Sequence, residues 1–539
     1  MTYILLILIL LFSFSAHAQN MTPGDDPGGV TSPGGTGTTY YVSWSDGNDN
    51  DDGLSEANAW KTTTKVRNFL FAAGDTILFK RGDTWTGSVF RVRRSGVSGN
   101  PITFGAYSTG NRPKLQDYND SSGNEFMWNV QWIVIDRLHF DSGDPIKLRT
   151  VGNIIFQNSE VSFSSRTCLR VYDDSFNVTV QNNKIWDCGG YAAGNCGLDC
   201  GDPNGEGLYI GSAQSFDPSD FTKDVTLKSN EVFNTTDNWI DIKEKLVNII
   251  VENNILHTSI QNPLLQGGII MGQGTGNGST GCRISRNVMH TFKGDAAITP
   301  ARDTRVVNNI IYNIIEGSGI RIRNTVSGNY YHNTIYGILE GGKVPIQIDS
   351  GASGYDIKNN IGPGTANNIA TASNLFVDAA GGNFQLVGGS AALNAGSVVG
   401  NVTTDILGVI RPQPLGGATD YGAYETTVAS VPSVPLNLRA VSSVAGINIT
   451  LAWDASETGT PTSYKVYWDT TPATYGNNQS AGLALTDSVD GLTLGTTYYF
   501  TVAALNATGE GAKSNEIQVL ATAPLPGDPT RLMLHRSAR

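Results

Sequence analysis

The sequence predicts an all-β protein, a solenoid of stacked coils followed by a small antiparallel β-sandwich. Two observations carry that expectation. Through the middle of the chain an apolar alternation ending in Asn returns, mostly every 22 to 27 residues, which is strand patterning and not helical spacing. After a Pro-spaced break near residue 430, short strand-like segments follow one another closely. Composition agrees: of 539 residues 63 are Gly and 21 Pro, 16% are charged and 39% hydrophobic, which suits a turn-rich β protein with a core. The formal net charge of −12 argues against a general nucleic-acid binder.

The chain starts MTYILLILILLFSFSAHAQN, an apolar run from Tyr3 to Phe14 ahead of the small-x-small site Ala16-His17-Ala18. This reads as a secretory signal peptide over 1–18, cleaved before Gln19. The run is short for a membrane span, and no later stretch reaches the ~18 apolar residues a crossing helix needs. The expectation is an exported protein, extracellular or periplasmic, without membrane insertion. Residues 19–38, rich in Gly, Pro and Thr, read as a disordered linker.

The repeat reads NIIFQNSEV at Asn153, NVTVQNNKI at Asn177, DVTLKSNEV at Asp224, NIIVENNIL at Asn248, CRISRNVM at Cys282, TRVVNNII at Thr304, NYYHNTI at Asn329 and YDIKNNI at Tyr355. The aligned residues are Asn158, Asn183, Asn230, Asn254, Asn287, Asn309, Asn333 and Asn360, spaced 25, 47, 24, 33, 22, 24 and 27. The interval of 47 is two coils, or one coil with a large insertion. Each repeat is one coil whose strands pair with the coils on either side. Asn at a fixed corner can adopt the left-handed conformation, and stacked Asn side chains can form a hydrogen-bonded ladder.

These residues resemble the right-handed parallel β-helix superfamily of pectate-lyase-like secreted proteins. YYVSWSDGNDNDDGLSEANAWKTTTKV followed by AAGDTILFKRGDTW is similar to their N-terminal cap, and LVGGSAALNAG followed by DYGAYE at Asp420 to Glu425 to their closing coil. The resemblance implies a right-handed parallel β-helix over 39–425, on a fold that hosts lyases, hydrolases, epimerases and adhesins. After a linker at 426–433, residues 434–522 resemble a fibronectin type III module. Its segments are LNLRAV, INITLAWDA, SYKVYWDT, a weak strand near Leu483, a turn to Leu492, YYFTVAALN and SNEIQVL, with Trp453, Tyr464, Leu492 and Tyr498 at core positions. Residues 523–539 read as a tail.

In a solenoid, one strand of each coil stacks into a sheet whose outward side chains form rows ~4.8 Å apart. The second strands align as CLRVYDD at Cys168, GLYIGS at Gly207, WIDIKEK at Trp239, GIIMGQ at Gly268, AITPAR at Ala297, GIRIRN at Gly319 and PIQIDS at Pro345. Leu169, Val171, Leu208, Ile210, Ile240, Ile242, Ile320, Ile322, Ile346 and Ile348 then face inward. Arg170, Tyr172, Tyr209, Asp241, Lys243, Thr299, Arg321, Arg323, Gln347 and Asp349 face outward, with Glu206, Glu244, Lys245, Gln273 and Arg302 at the turns. Charge concentrated on one sheet of a lightly charged protein offers a groove for an acidic polysaccharide, with Tyr209, Arg170, Arg321 and Arg323 as substrate-binding residues.

GEGLYIG at Gly205 and NTTDNWIDIKEK at Asn234 resemble a paired motif of secreted β-helix proteins in the lyase-like group. β-Elimination from a uronic-acid polymer needs an acceptor for the C5 proton and positive charge beside the sugar carboxylate. On that chemistry Lys243, with a depressed pKa, is the candidate base and Lys245 the second; Arg302 completes the candidate set by holding a sugar carboxylate. In these families calcium commonly supplies the neutralising charge, so the resemblance implies Ca2+ held by Glu206, Asp241 and Glu244. The alternative is that Asp241, Lys243 and Glu244 form a surface ion-pair ladder between coils.

The chain lacks the Arg-x-Pro-x-x-Arg motif of pectate lyases, and WID at Trp239 lacks their following His. Against the chondroitinase B and alginate lyase family, Gln273 stands where an Arg is expected. The leading expectation is a monomeric lyase acting on an acidic polysaccharide. The other readings are a glycoside hydrolase using Glu206, Asp241 and Glu244, and a protein that only binds glycan.

NDNDDG from Asn48 to Gly53 matches half of a calcium loop without the distal Glu and reads as a polar cap turn. His139, His257, His290 and His332 lack metal spacing and read as stacking or surface residues. The cysteines are Cys168, Cys188, Cys196, Cys200 and Cys282, an odd number in an oxidising compartment. A disulfide within the Gly-rich insertion that holds Cys188, Cys196 and Cys200 is expected, with Cys168 and Cys282 buried in strands.

Overall fold

A computed structural model describes residues 37–87, 91–116, 125–141, 143–189, 205–213, 217–243, 245–258, 267–272, 280–323, 327–362, 367–427, 431–442, 448–457 and 459–521. The chain divides into two compact units, at Thr426 and Thr427. The expected signal peptide, most of the expected linker after it and the tail lie outside the described residues; among the described residues no helix is long and apolar enough to cross a membrane.

Unit one is a parallel β-helix. Among the described residues, two parallel sheets carry twelve strands each and a third carries nine. One coil contributes Gly152–Gln157 to the first sheet, Glu160–Ser162 to the second and Leu169–Tyr172 to the third. Register is held by the pleat: Ile154 lies opposite Ile133 on one side and Val178 on the other, and all three are buried. A slip by one residue would turn these apolar rows to water and charged ones into the core. The predicted inward row of the third sheet is buried, with one exception. Ile348 is 44% exposed, because Ile346–Ile348 is the last strand of that sheet and has no further coil to cover it. Thr299, expected outward, is also buried.

The Asn ladder is present, and its two physical roles fall on neighbouring residues. Asn182, Ser229, Asn253, Arg286, Asn308, His332 and Asn359 take the left-handed conformation, with φ between 54° and 58°. The residue after each makes the ladder: Asn183 N–H donates to Asn230 Oδ1 (3.0 Å), Asn230 to Asn254 (2.9 Å), Asn254 to Asn287 (3.0 Å), and so on to Asn360. Each ladder side chain also donates through Nδ2 to a backbone carbonyl, as Asn254 does to Leu227 O (2.9 Å). Asn158 is therefore not a rung. It is one of the left-handed residues (φ 49°), and Ser159 beside it donates its N–H to Asn183 Oδ1. The direct Asn183–Asn230 bond identifies the 47-residue interval as one coil with an insertion.

Cys188 pairs with Cys168, so the expected disulfide within the insertion is corrected on the Cys188 side. Cys168 lies just ahead of a third-sheet strand and Cys188 ends a second-sheet strand, which brings both to one corner of the coil. Cys196 and Cys200 lie outside the described residues, and Cys282 is a buried free thiol. Asp49 in the NDNDDG turn accepts from Lys61 N, Thr62 N and Thr62 Oγ1 at 2.6–2.9 Å, a structural role in the cap.

Unit two is an antiparallel sandwich. Leu436–Ser442, Ile449–Asp454 and Thr486–Val489 form one sheet; Ser463–Asp469, Asn477–Gly482, Thr497–Asn506, Gly509–Glu510 and Ile517–Leu520 form the other. Trp453, Tyr464, Leu492 and Tyr498 are buried in its core. The weak strand placed near Leu483 resolves into two strands, with Leu483 exposed in the turn between them.

Candidate active site

The third sheet brings the chemistry together over three successive coils. Ile240–Ile242 buries its two isoleucines and points Asp241 the other way; Leu208–Ile210 does the same with Tyr209, and Leu169–Tyr172 with Arg170. Parallel pairing then stacks Arg170, Tyr209 and Asp241 in one row. Lys243, two residues on, folds back: its Nζ lies 2.5 Å from Asp241 Oδ2 and 4.6 Å from the Tyr209 ring centroid. Covered in this way, Asp241 is only 6% exposed.

The turns ahead of these strands add two carboxyls. Glu206 is 2% exposed and accepts a hydrogen bond from Thr167 Oγ1 at 2.6 Å. Its flanking glycines are required by close approach: a Cβ on Gly205 would sit 1.8 Å from Thr236 Oγ1, and one on Gly207 2.3 Å from Val232 Cγ1. That accounts for the Gly-Glu-Gly of the motif. Asp237 lies in the turn leading into Asp241. Its side chain is half-buried and not sealed as Glu206 is.

Electrostatics separates the members. Burial pushes Glu206 up to about 7, with Asp241 and Asp237 adding to the rise and the Thr167 hydroxyl opposing it. Burial likewise raises Asp237 to about 6, helped by the Asp241 charge. For Lys243, burial works against the charge, but Asp241, its hydrogen bond, Tyr209 and Glu206 outweigh it and hold the ammonium above the ordinary lysine value. A lysine base requires the reverse shift, so this geometry makes Lys243 the counter-ion of Asp241.

The remaining predicted residues do not converge on this point. Lys245 reaches away to donate to Pro218 O (3.0 Å). Arg302 has a side chain 61% exposed and lies 3.7 Å from Asp303. Arg321 pairs with Asp295 and Asp349, and Arg323 with Asp295. Arg170 differs: its guanidinium lies 4.0 Å from the Tyr172 ring centroid and 4.8 Å from that of Tyr209, and it donates to Ser212 Oγ at 3.3 Å. Glu244 and Gln273 lie outside the described residues.

The described donors do not fit a calcium cage. Among the described residues no group of three or more His, Cys, Asp or Glu side chains is disposed to hold a metal ion. Asp241 is engaged by an ammonium and Glu206 by a hydroxyl, where calcium needs six or more free oxygens. Asp237 and Thr167 were not singled out from the sequence. The usable signal was the Asp-x-x-x-Asp spacing across the turn of NTTDNWID.

A groove of about 550 Å³ lies on the second sheet, lined among others by Arg112, Lys114, His139, Glu160, Lys184 and Trp186. Its charges pair among themselves, Arg112 with Glu160 at 2.8 Å and Lys114 with Asp141 at 2.6 Å. Trp186 begins a ring stack that runs through Phe233, His257, His290 and Tyr312, at centroid spacings of 4.8–6.0 Å. His257 and His290 are thus stacking residues. His332 is buried against Asp420 O and Asn359.

Residues 433–520 match the family model of the fibronectin type III domain. The second unit is a fibronectin type III domain. The chain is similar to a lacto-N-biosidase of Bifidobacterium longum, 28% identical over 156 residues, covering 24% of this chain and 10% of that protein. It is also similar to chitinase A1 of Niallia circulans, 39% identical over 109 residues, covering 20% of this chain and 15% of that one. The chain thus spans a small fraction of either relative. Among solved structures it is similar to the pectate lyase Pel9A, with a TM-score of 0.48, 17% identity, and coverage of 72% of this chain and 96% of that one.

Proposed function

We propose that this chain is an exported carbohydrate-active enzyme that cleaves glycosidic bonds at the Asp237–Asp241 site by acid–base chemistry. The observation that carries the reading is the gathering of Glu206, Asp237 and Asp241 around one locked Lys243–Asp241 ion pair at the third sheet. Glycoside hydrolysis needs one carboxyl that keeps its proton near neutrality and one that stays charged. Asp237 fills the first role and protonates the departing glycosidic oxygen. Asp241, neutralised by Lys243, fills the second, facing the anomeric carbon or the water that attacks it. Glu206, almost fully buried and raised to about 7 in part by these two charges, lowers the negative charge that the site carries. The similarity to two glycosidases, over 24% and 20% of this chain, and the secretory leader expected from the sequence support this reading.

Elimination on an acidic polysaccharide is the second reading. Arg170 favours it, as a guanidinium in the Asp241 row that has no carboxylate partner among the described residues and is suited to a sugar carboxylate.

The test is product chemistry on a panel of neutral and uronic-acid glycans, with and without chelator. Hydrolysis gives new reducing ends without near-ultraviolet absorbance, and both Asp237→Asn and Asp241→Asn lose at least about a hundredfold in kcat/KM. Absorbance from an unsaturated uronide would replace hydrolysis with elimination. Absence of both products on every glycan would leave a binding protein.

A further inference from the structure

Building on the proposed glycan cleavage, we infer that Trp128 is a sugar-stacking platform at the far end of the same path, and that the substrate is a chain of about five or more units, one unit per coil. Trp128 lies on Met127–Trp128, the edge strand of the third sheet, and is 63% exposed while its neighbour Met127 is fully buried. The strand therefore anchors itself through Met127 and leaves the largest apolar side chain in the sequence facing water. Isolated exposure would mean little. Here the ring heads a row, Trp128–Arg149–Tyr172, that runs beside the Arg170–Tyr209–Asp241 row at an offset of two residues and meets it where Arg170 lies against Tyr172.

Trp128 stands opposite Arg149, and Arg149 opposite Tyr172. The Arg170 guanidinium bridges Tyr172 to Tyr209 through its two ring contacts, and Tyr209 stands opposite Asp241. Four successive strands thus present Trp128, Arg149, Tyr172 with Arg170, and Tyr209, a mix of aromatic rings and guanidinium donors that ends at Asp241 on the fifth. Arg149 is held by Asp173 at 2.6 Å and Glu125 at 3.3 Å, and Tyr172 Oη donates to Glu125 at 3.1 Å. Four steps between parallel strands span about 19 Å. An extended pyranose chain advances by roughly one such step per unit, so a chain laid along the row puts successive rings over successive coils. Aromatic faces take the apolar C–H side of a sugar, and the ordered guanidinium and phenol groups take its hydroxyls. A linear glycan that crosses from the Trp128 row to the Asp241 row over Arg170 uses the members of both.

The experiment measures kcat/KM of the full chain against oligosaccharides of increasing length, cut from whichever glycan it degrades. Wild type should climb with length to about five units and then level off. Trp128→Ala should lose about tenfold on the longer chains, through KM, and less than twofold on di- and trisaccharides; Trp128→Phe should recover part of the loss. Trp44→Ala, an exposed tryptophan off this sheet, is the control for surface effects. Equal behaviour of Trp128→Ala and wild type at every length overturns the inference, as does an equal loss at every length. If wild type degrades nothing, the proposed function falls. The platform is then read by calorimetry with hexasaccharides of the same panel, where equal binding by wild type and Trp128→Ala, or no binding, overturns it.

Discussion

Replacing Glu206 by Gln should stabilise the protein in mild alkali and do nothing in mild acid. The carboxyl is 2% exposed and raised from its ordinary 4.5 to about 7. Below the lower value both the folded and the unfolded chain hold the proton. Between the two the folded chain keeps a proton that the unfolded chain has released, so stability falls as pH rises across that window. At ~1.4 kcal/mol per pH unit, the loss is complete above pH 7 and amounts to about 3 kcal/mol. Gln cannot ionise, and its carbonyl can still accept the Thr167 hydroxyl that bonds Glu206 at 2.6 Å. Urea unfolding followed by tryptophan fluorescence, at about pH 4 and about pH 8, is the assay. The expected difference between Glu206→Gln and wild type is near zero at the lower pH and about 3 kcal/mol in the variant's favour at the higher. A difference independent of pH, or a variant weaker than wild type in alkali, would refute the buried-acid argument.

With Asp237 as proton donor, kcat/KM should fall as pH rises through about 6, and that limb should vanish in Asp237→Asn. Lys243→Met strands the nearly buried Asp241 and should cost about 3–5 kcal/mol in urea, with Lys243→Arg restoring most of it. Asn254→Ala removes a rung that donates to Leu227 O and Asn287 and accepts from Asn230; a loss of about 2–4 kcal/mol is expected from the unfolding midpoint. Removing the disulfide as Cys168→Ser with Cys188→Ser frees a loop of sequence separation 20, worth about 3 kcal/mol by the same measurement.

The solenoid was legible because its cause is periodic. One rule, inward apolar residues every second position and Asn at the corner, acts in every coil, so alignment alone placed Leu208, Ile240 and their neighbours in the core. The corner itself was misread by one residue at Asn158, since a left-handed Asn and a ladder Asn look alike when they adjoin, as in Asn182-Asn183. The same ambiguity hid Asn367-Asn368, a further copy of the pair. At the site the row of Arg170, Tyr209 and Asp241 followed from the pleat, while Asp237 and Thr167 did not, because turns carry no period. The state of Lys243 was also beyond patterning. A lysine beside one carboxylate and over one ring reads the same as a lysine base until the distance to Asp241 is known.

Asn368 has a consequence for the end of the stack. Its Oδ1 accepts from both Asn360 N (2.9 Å) and Asn360 Nδ2 (2.8 Å), and Ile369–Ala370 pairs in parallel with Ile361–Gly362. A stack that repeats one hydrogen-bonding pattern has no intrinsic length, and its last rung is a template on which another molecule could continue. Here the chain supplies a short counterfeit rung from its own next residues. It satisfies the outstanding donors of Asn360 and moves the edge of the second sheet to a strand of two residues, Ile369–Ala370, too short to be a good template for another molecule.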